Sequence, residues 1–109
     1  MTRFGSMLKD MRVLHHAWSV RQCAKRARCS PQMIYHMEDG SRYPSLQQLE
    51  KLLATVFQGH PDVLHVRWCA AGWPEKVAHG VRETGGRFWD YIYALHPLEL
   101  HPKRKKDAR

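Results

Sequence analysis

Residues 19–40 constrain the fold most, because they carry start and stop signals for two short helices. Ser19 can cap the first helix, since its hydroxyl can accept a hydrogen bond from a backbone N–H two or three residues on. Ser30 offers a second cap, and Pro31 stands at the first helical position, where its missing N–H costs nothing. Gly40 can adopt the left-handed conformation that ends a helix. This stretch therefore predicts two helices joined by a tight turn.

Each helix of this pair has one side suited to burial. The first carries small apolar residues at helical spacing, namely Cys23, Ala24 and Ala27. In the second, Ile34 and Met37 lie three residues apart and can point inward together. Gln32 and His36 lie four apart on the opposite face, which leaves them available to a partner.

A helix is predicted before this pair, over residues 3–16. Apolar residues recur there at steps of three and four, as in an amphipathic helix. They are Phe4, Met7, Leu8, Met11 and Leu14. Thr2 can cap this helix, Arg12 falls on its outer side, and Trp18 is expected to fill the junction with the next helix.

A further helix is predicted after residues 40–44, whose composition is that of a loop. Ser45 can cap it, and Gln48 stands three residues on, where it completes a capping box. Its inward stripe consists of Leu46, Leu49, Leu52, Leu53 and Val56. We expect the helix to end near Phe57, because glycine and proline follow.

Residues 4–57 resemble the helix-turn-helix domain of the lambda-repressor-like (Cro-type, XRE) family. The resemblance rests on the opening FGSMLKDMR, the block SPQMIYHMEDGSRYPS and the leucine-rich helix that follows. It departs from the family pattern at Arg28, where glycine is usual, at Val20, where glutamine is frequent, and at Cys23, where leucine is usual. The link between the first two helices is one residue longer. The fold expected is mainly α: a bundle of four to five helices plus a short aromatic-rich C-terminal region.

The resemblance implies that residues 31–39 form a recognition helix, which reads base edges in the major groove with its N-terminal half. Gln32 is the first candidate, because its amide can both donate to and accept from one adenine. His36, one turn later, is expected to donate to a guanine, and Met33 to touch a thymine methyl. The alternative for each residue is plain solvent exposure.

Phosphate contacts are expected around this helix, because cations and free backbone N–H groups bind phosphates. The candidates are Ser30, Arg21, Tyr35, Ser41, Arg42 and Tyr43. Arg42 is the strongest, since it follows the helix directly. The resemblance also implies supporting roles: Arg12 pairs with Glu38 and locks the recognition helix, and Gly40 ends it.

The second half of the chain is less regular. Residues 62–71, DVLHVRWCAA, are apolar and fit either a helix or a strand. Pro74 is expected to open a short helix that reaches Glu83, and residues 87–95, RFWDYIYAL, favour a helix over a strand. The domains predicted are a DNA-binding domain at 1–57, a dimerisation or packing region at 58–96 and a disordered basic tail at 97–109.

Charge is unevenly distributed along the chain. The net charge is +8, and residues 1–57 hold nine Lys or Arg against four Asp or Glu. Residues 58–100 hold four against five, and residues 101–109 hold five against one. A neutral, aromatic middle is typical of a self-association surface, because interface cores are poor in charge. The tail either holds DNA non-specifically or keeps the protein soluble.

Several function classes are disfavoured. No run of 18 apolar residues predicts a membrane span. The three cysteines include no C-x-x-C pair, which favours core packing over a disulfide framework or a metal site. There is no nucleophile–base pair, carboxylate pair or phosphate loop, and Glu75 is interpreted as an ordinary solvated charge. We therefore expect neither an enzyme nor a cofactor.

The sequence predicts a cytoplasmic, sequence-specific transcriptional regulator, a dimeric repressor of phage, prophage or mobile-element type. It would bind double-stranded DNA at an inverted repeat as a homodimer. One alternative is the antitoxin of a toxin–antitoxin pair, in which residues 58–100 grip a toxin. Another is a protein-binding module that has lost DNA binding.

Overall fold

The computed structural model describes residues 2–78, and the regular secondary structure of this part of the chain is helical, without a strand. A π-helical turn at Met11–His15 extends the first helix. The six α-helices are α1 (Arg3–Asp10), α2 (Val20–Ala27), α3 (Pro31–Asp39), α4 (Leu46–Ala54), α5 (Val63–Ala70) and α6 (Trp73–Ala78). Within residues 2–78, each helix is too short or too polar to cross a bilayer.

Local capping sets where the helices begin. Ser19 Oγ accepts from the Gln22 N–H at 3.1 Å, and the Gln22 side chain accepts from the Ser19 N–H at 2.8 Å. Ser45 and Gln48 form the same reciprocal pair, at 3.1 and 2.9 Å. Ser30 caps α3, with proline in its first turn. Each of these contacts satisfies a backbone donor that the helix leaves unpaired, so the predicted starts of α2, α3 and α4 are confirmed.

All five helices from α1 through α5 contribute to one hydrophobic core. Its fully buried side chains include Phe4, Leu8, Cys23, Ile34, Met37, Leu49, Leu52, Val56, Phe57, Val66 and Cys69. The rings of Phe4 and Phe57 lie 5.8 Å apart, which brings α1 against the end of the α4 region. Val66 and Cys69 of α5 pack into the same cluster. The core therefore continues across residue 57, where the sequence placed a domain boundary.

The helix-or-strand alternative for residues 62–71 is settled in favour of a helix. Asp62 Oδ1 accepts from the His65 N–H at 3.0 Å and caps α5. The guanidinium of Arg67 donates to both carboxylate oxygens of Glu50, at 2.6 and 3.1 Å, and ties α5 to α4. The predictions for Glu83, for residues 87–95 and for the tail fall outside the described residues.

The first helix departs from the prediction after Asp10. The backbone widens into the π-helical turn, in which the His16 N–H donates to the Met11 carbonyl at 3.0 Å. A π turn closes over five residues instead of four, so the side chains that follow rotate away from the inward stripe. Leu14, predicted to be buried, is 79% exposed as a result.

α4 ends earlier than predicted. It stops at Ala54, and residues 55–59 form a turn instead of continuing the helix to Phe57. Phe57 is nevertheless buried, because its N–H donates to the Leu52 carbonyl at 2.9 Å and folds the chain back over the core.

Candidate nucleic-acid interface

The turn between α2 and α3 sets the angle at which α3 is presented. Ala24 and Ala27 are buried and lack bulk, so α3 can cross α2 closely. Arg28 turns the chain with a left-handed backbone, at φ 57° and ψ 48°. The Cys29 N–H then donates to the Ala24 carbonyl at 3.0 Å and closes the turn. Arg28 thus performs the geometric task for which glycine is the usual residue.

The outer face of α3 carries the residues predicted to read bases. Gln32 and Tyr35 are exposed, whereas Met33 is half-buried and packs against the core. His36 is also half-buried, and its Nδ1 lies 3.1 Å from Ser41 Oγ. Gln32 is therefore presented freely, while His36 is held by the loop that follows the helix.

The contacts of Ser41 determine what His36 can offer a base. Ser41 Oγ lies 2.6 Å from Asp39 Oδ1, and the charge-assisted bond to this carboxylate takes the hydroxyl proton. Nδ1 of His36 must then be the donor to Ser41, which leaves Nε2 as an acceptor in the neutral ring. The neutral ring thus suits an amino group of cytosine or adenine, and donation to guanine requires the imidazolium.

A compact turn fixes the end of α3. Gly40 is left-handed, at φ 89°, as predicted. Asp39 Oδ1 accepts from the Ser41 N–H at 2.7 Å as well as from its hydroxyl, and these bonds to the charged form lower the pKa of Asp39. The Arg42 N–H donates to the His36 carbonyl at 3.1 Å. The exposed Arg42 side chain therefore starts from a fixed backbone.

The ion pair expected between Arg12 and Glu38 is present. Arg12 Nε and Nη2 donate to the two carboxylate oxygens at 2.6 and 3.0 Å, and the side chains are only 11% and 8% exposed. The hydrogen bond to Glu38 raises the pKa of Arg12. Arg12 Nη1 also donates to the Trp18 carbonyl at 3.0 Å. Arg12 is therefore not on the outer side, as its position in the helical pattern predicted; it ties the π-helical turn to α3.

The surface around α2 and α3 is basic. Its exposed cations are Arg21, Lys25, Arg26, Arg28 and Arg42. In residues 19–42 the acidic side chains are Asp39, which is exposed, and Glu38, which is buried and paired. The Arg26 guanidinium lies 5.2 Å from the ring centroid of Trp18, so it extends toward the junction with α1. The positive charge thus meets little acidic charge at this surface.

A groove of about 370 Å³ lies between the end of α3 and the start of α4. It is lined by Met33, Gly40, Ser41, Arg42, Tyr43, Ser45 and Gln48. The groove brings together four of the predicted contact residues: Met33, Ser41, Arg42 and Tyr43. Ser30, Arg21, Gln32, Tyr35 and His36 lie outside its lining. The candidate surface therefore has two parts, the outer face of α3 and this polar groove.

Tyr43 does not offer its hydroxyl to solvent, because the hydroxyl faces the protein. It donates to Glu75 Oε1 at 2.8 Å, and Glu75 Oε2 accepts from the Arg3 N–H at 3.1 Å. Glu75 is half-buried and not the ordinary solvated charge that the sequence indicated. No local pattern could have revealed this contact, since Tyr43 and Glu75 are 32 residues apart.

Comparison with known proteins found no match to this chain among protein-family models, curated proteins or solved structures.

Proposed function

We propose that this chain is a sequence-specific DNA-binding regulator, in which α2 and α3 act as a helix-turn-helix and α3 enters the major groove. The observation that supports this proposal is that α3 presents polar side chains and nearby positive charge on one face, while its glutamate is buried. Gln32 and His36 lie on an outer face beside exposed cations, while Glu38 is buried against Arg12. The major groove of DNA is about 12 Å wide and admits one α-helix. The base edges exposed in it can form hydrogen bonds with amide and imidazole groups.

Phosphate contacts would come from both sides of that helix. Arg42 is exposed immediately after α3, and Arg21 is exposed in the first turn of α2. Ser41 offers no free donor in this arrangement, because its N–H and its hydroxyl both donate to Asp39. The first turn of α3 adds the Gln32 N–H, because a capped helix still leaves its second amide without an intrahelical partner. These groups would set register and affinity, and Gln32 and His36 would set sequence preference.

A homodimer on an inverted repeat fits this role, with recognition helices about 34 Å apart along the DNA. Residues 58–78 contribute exposed apolar side chains, at Val63, Leu64 and Trp73. These can support self-association. They can equally hold a toxin, which keeps an antitoxin that represses its own operon as the second candidate. Co-purification of a small basic protein with the chain favours the antitoxin, whereas a chain that purifies without a partner and has twice the mass of one copy favours the homodimeric repressor.

Selection of binding sites from a random DNA pool tests the proposal. We expect a palindromic site, for which Gln32→Ala loses about 1–3 kcal/mol of discrimination, roughly five- to 150-fold. Binding to random duplex should stay unchanged in this variant and fall steeply with salt. Gln58→Ala is the matched control, because Gln58 is exposed in the turn after α4. A footprint unaltered by Gln32→Ala and His36→Ala together would refute this reading face.

A further inference from the structure

Glu75 joins two separate parts of the fold through one carboxylate. One oxygen accepts from the Tyr43 hydroxyl at 2.8 Å, in the loop after α3. The other accepts from the Arg3 N–H at 3.1 Å, in the first turn of α1. That N–H is one of the donors that a helix leaves unpaired at its start, so Glu75 is anchored at both oxygens. α6 is thereby connected directly to the proposed DNA-contacting loop.

Packing against Gly72 also restricts the position of the Tyr43 ring. Gly72, in the turn between α5 and α6, is buried and left-handed at φ 80°. A Cβ at this position would lie 3.2 Å from Tyr43 Cζ and 3.3 Å from its hydroxyl oxygen. The missing side chain makes room for the Tyr43 ring, which also lines the groove beside Arg42. The ring is therefore confined by contact as well as by its hydrogen bond.

We propose that Glu75 is a positioning residue for DNA binding. By accepting the Tyr43 hydroxyl, it holds the Ser41–Tyr43 loop where Arg42 can meet the phosphate backbone. The Tyr43 hydroxyl then fixes the loop through its hydrogen bond to Glu75, which we call the latch, and does not donate a hydrogen bond to a DNA phosphate. This inference rests on the proposed function for its DNA role, whereas the latch itself is a property of the free protein.

Charge and position make opposite demands on Glu75. A carboxylate near a DNA-binding surface repels phosphates, so electrostatics alone predicts that removing it strengthens binding. The latch predicts the reverse for Glu75→Ala, because the loop is released. Glu75→Gln separates the two effects at Tyr43, since its amide oxygen can still accept from the Tyr43 hydroxyl, while the charge and the acceptor for the Arg3 N–H are lost. We expect Glu75→Gln to bind duplex at least as tightly as the unmodified chain.

Amide hydrogen exchange in the free protein tests the latch. The reporter is the Arg42 N–H, which donates to the His36 carbonyl. Tyr43→Phe and Glu75→Ala should each speed its exchange about fivefold, the equivalent of one net hydrogen bond of about 1 kcal/mol. Glu50→Ala is the control, because it also removes one carboxylate but breaks only the pair with Arg67. Unchanged exchange in Tyr43→Phe and Glu75→Ala overturns the proposal.

DNA affinity then tests the positioning role on the selected site. Tyr43→Phe and Glu75→Ala should each weaken binding about fivefold, and the double variant should be no weaker than either, because both break the same bond. Additive losses would mean that the Tyr43 hydroxyl contacts DNA directly, which overturns the proposal. An unmodified chain that binds no duplex refutes the proposed function and the DNA role of Glu75. The exchange result for the latch stands independently of that outcome.

Discussion

Two residues other than glycine hold left-handed backbones in the described part of the chain, and they flank α2 on either side. Ala17 and Arg28 both have φ 57°. For an L-residue this conformation brings Cβ close to the carbonyl oxygen and costs roughly 1–2 kcal/mol. The chain accepts this cost at Arg28 because the turn must bring α3 back across the small residues of α2. Local strain here supports the geometry of the candidate interface.

Replacing Arg28 by glycine should therefore stabilise the protein. The strain is relieved, and the greater freedom of glycine in the unfolded chain cancels only part of the gain, leaving about 0.5–1 kcal/mol. Urea denaturation measures this change. Lys25→Gly is the control: the same replacement inside α2, at an exposed cation, should cost about 1 kcal/mol. A loss of stability in Arg28→Gly would show that the arginine side chain contributes more than its backbone costs.

The structural roles of single residues are the most predictable from sequence where those roles depend only on nearby residues. Ser19, Ser30 and Ser45 begin helices because a hydroxyl reaches an amide only three residues away, and sequence alone contains that relation. His36 shows the limit. Its place on the outer face was predicted, but the donor state of its ring depends on Ser41 and Asp39, whose side chains meet only in the folded turn.

At the level of elements, the crossing of α1 and α3 depends on Gly5. A Cβ at this position would lie 2.5 Å from the Met37 carbonyl oxygen and 2.7 Å from that of Glu38. Those distances are below any van der Waals contact, and both oxygens belong to the backbone, so neither can rotate aside. The absence of a side chain at Gly5 thus lets α1 lie directly on the last turn of α3.

Gly5→Ala should separate these two helices and lower the free energy of unfolding by about 2–3 kcal/mol, as overpacking does. Thermal and urea denaturation measure the loss. Gly59→Ala serves as the control, because Gly59 has φ +81° but an added Cβ would meet nothing within 4 Å. This variant should lose only about 1 kcal/mol of stability, which is the cost of a left-handed backbone for alanine. An equal or smaller loss for Gly5→Ala would contradict the close crossing.

Element type was predictable where hydrophobic periodicity was clear and failed where the period changed. The leucines of α4 gave the right inward face because they recur at helical steps. The prediction for Leu14 was wrong because the helical register changes at the π-helical turn, and no residue type in the sequence indicates such a turn. Residues 62–71 stayed ambiguous because apolar side chains occur all around the helix, which fits buried strands and buried helices alike.

At the level of the whole molecule, residues 2–78 share one core. Val66 of α5 is fully buried among side chains from α1 and α4, although it follows the predicted domain boundary. The boundary was placed by the extent of the family resemblance and by a change in charge, and neither quantity reports which side chains touch. Tyr43 and Glu75 illustrate the same limit, since contacts between distant parts of the chain leave no local pattern.

A single core predicts a single unfolding transition. Val66→Ala should lower the free energy of unfolding by about 2 kcal/mol, because two buried methyl groups are lost and a cavity remains. The transitions followed by far-UV circular dichroism and by tryptophan fluorescence should move together. Leu64→Ala, on the same helix but 46% exposed, should change stability by less than about 0.5 kcal/mol. Two separate transitions, with only one shifted by Val66→Ala, would show that α5 folds independently.

The enclosed pair of Arg12 and Glu38 restricts how this protein can evolve. Loss of Arg12 leaves the Glu38 carboxylate buried and unpaired, at a cost of about 3–5 kcal/mol. That cost is a large part of the roughly 5–15 kcal/mol by which a domain is stable. A lineage that loses Arg12 alone passes through a form that is less stable by this amount. Descent should therefore keep both residues or exchange them together.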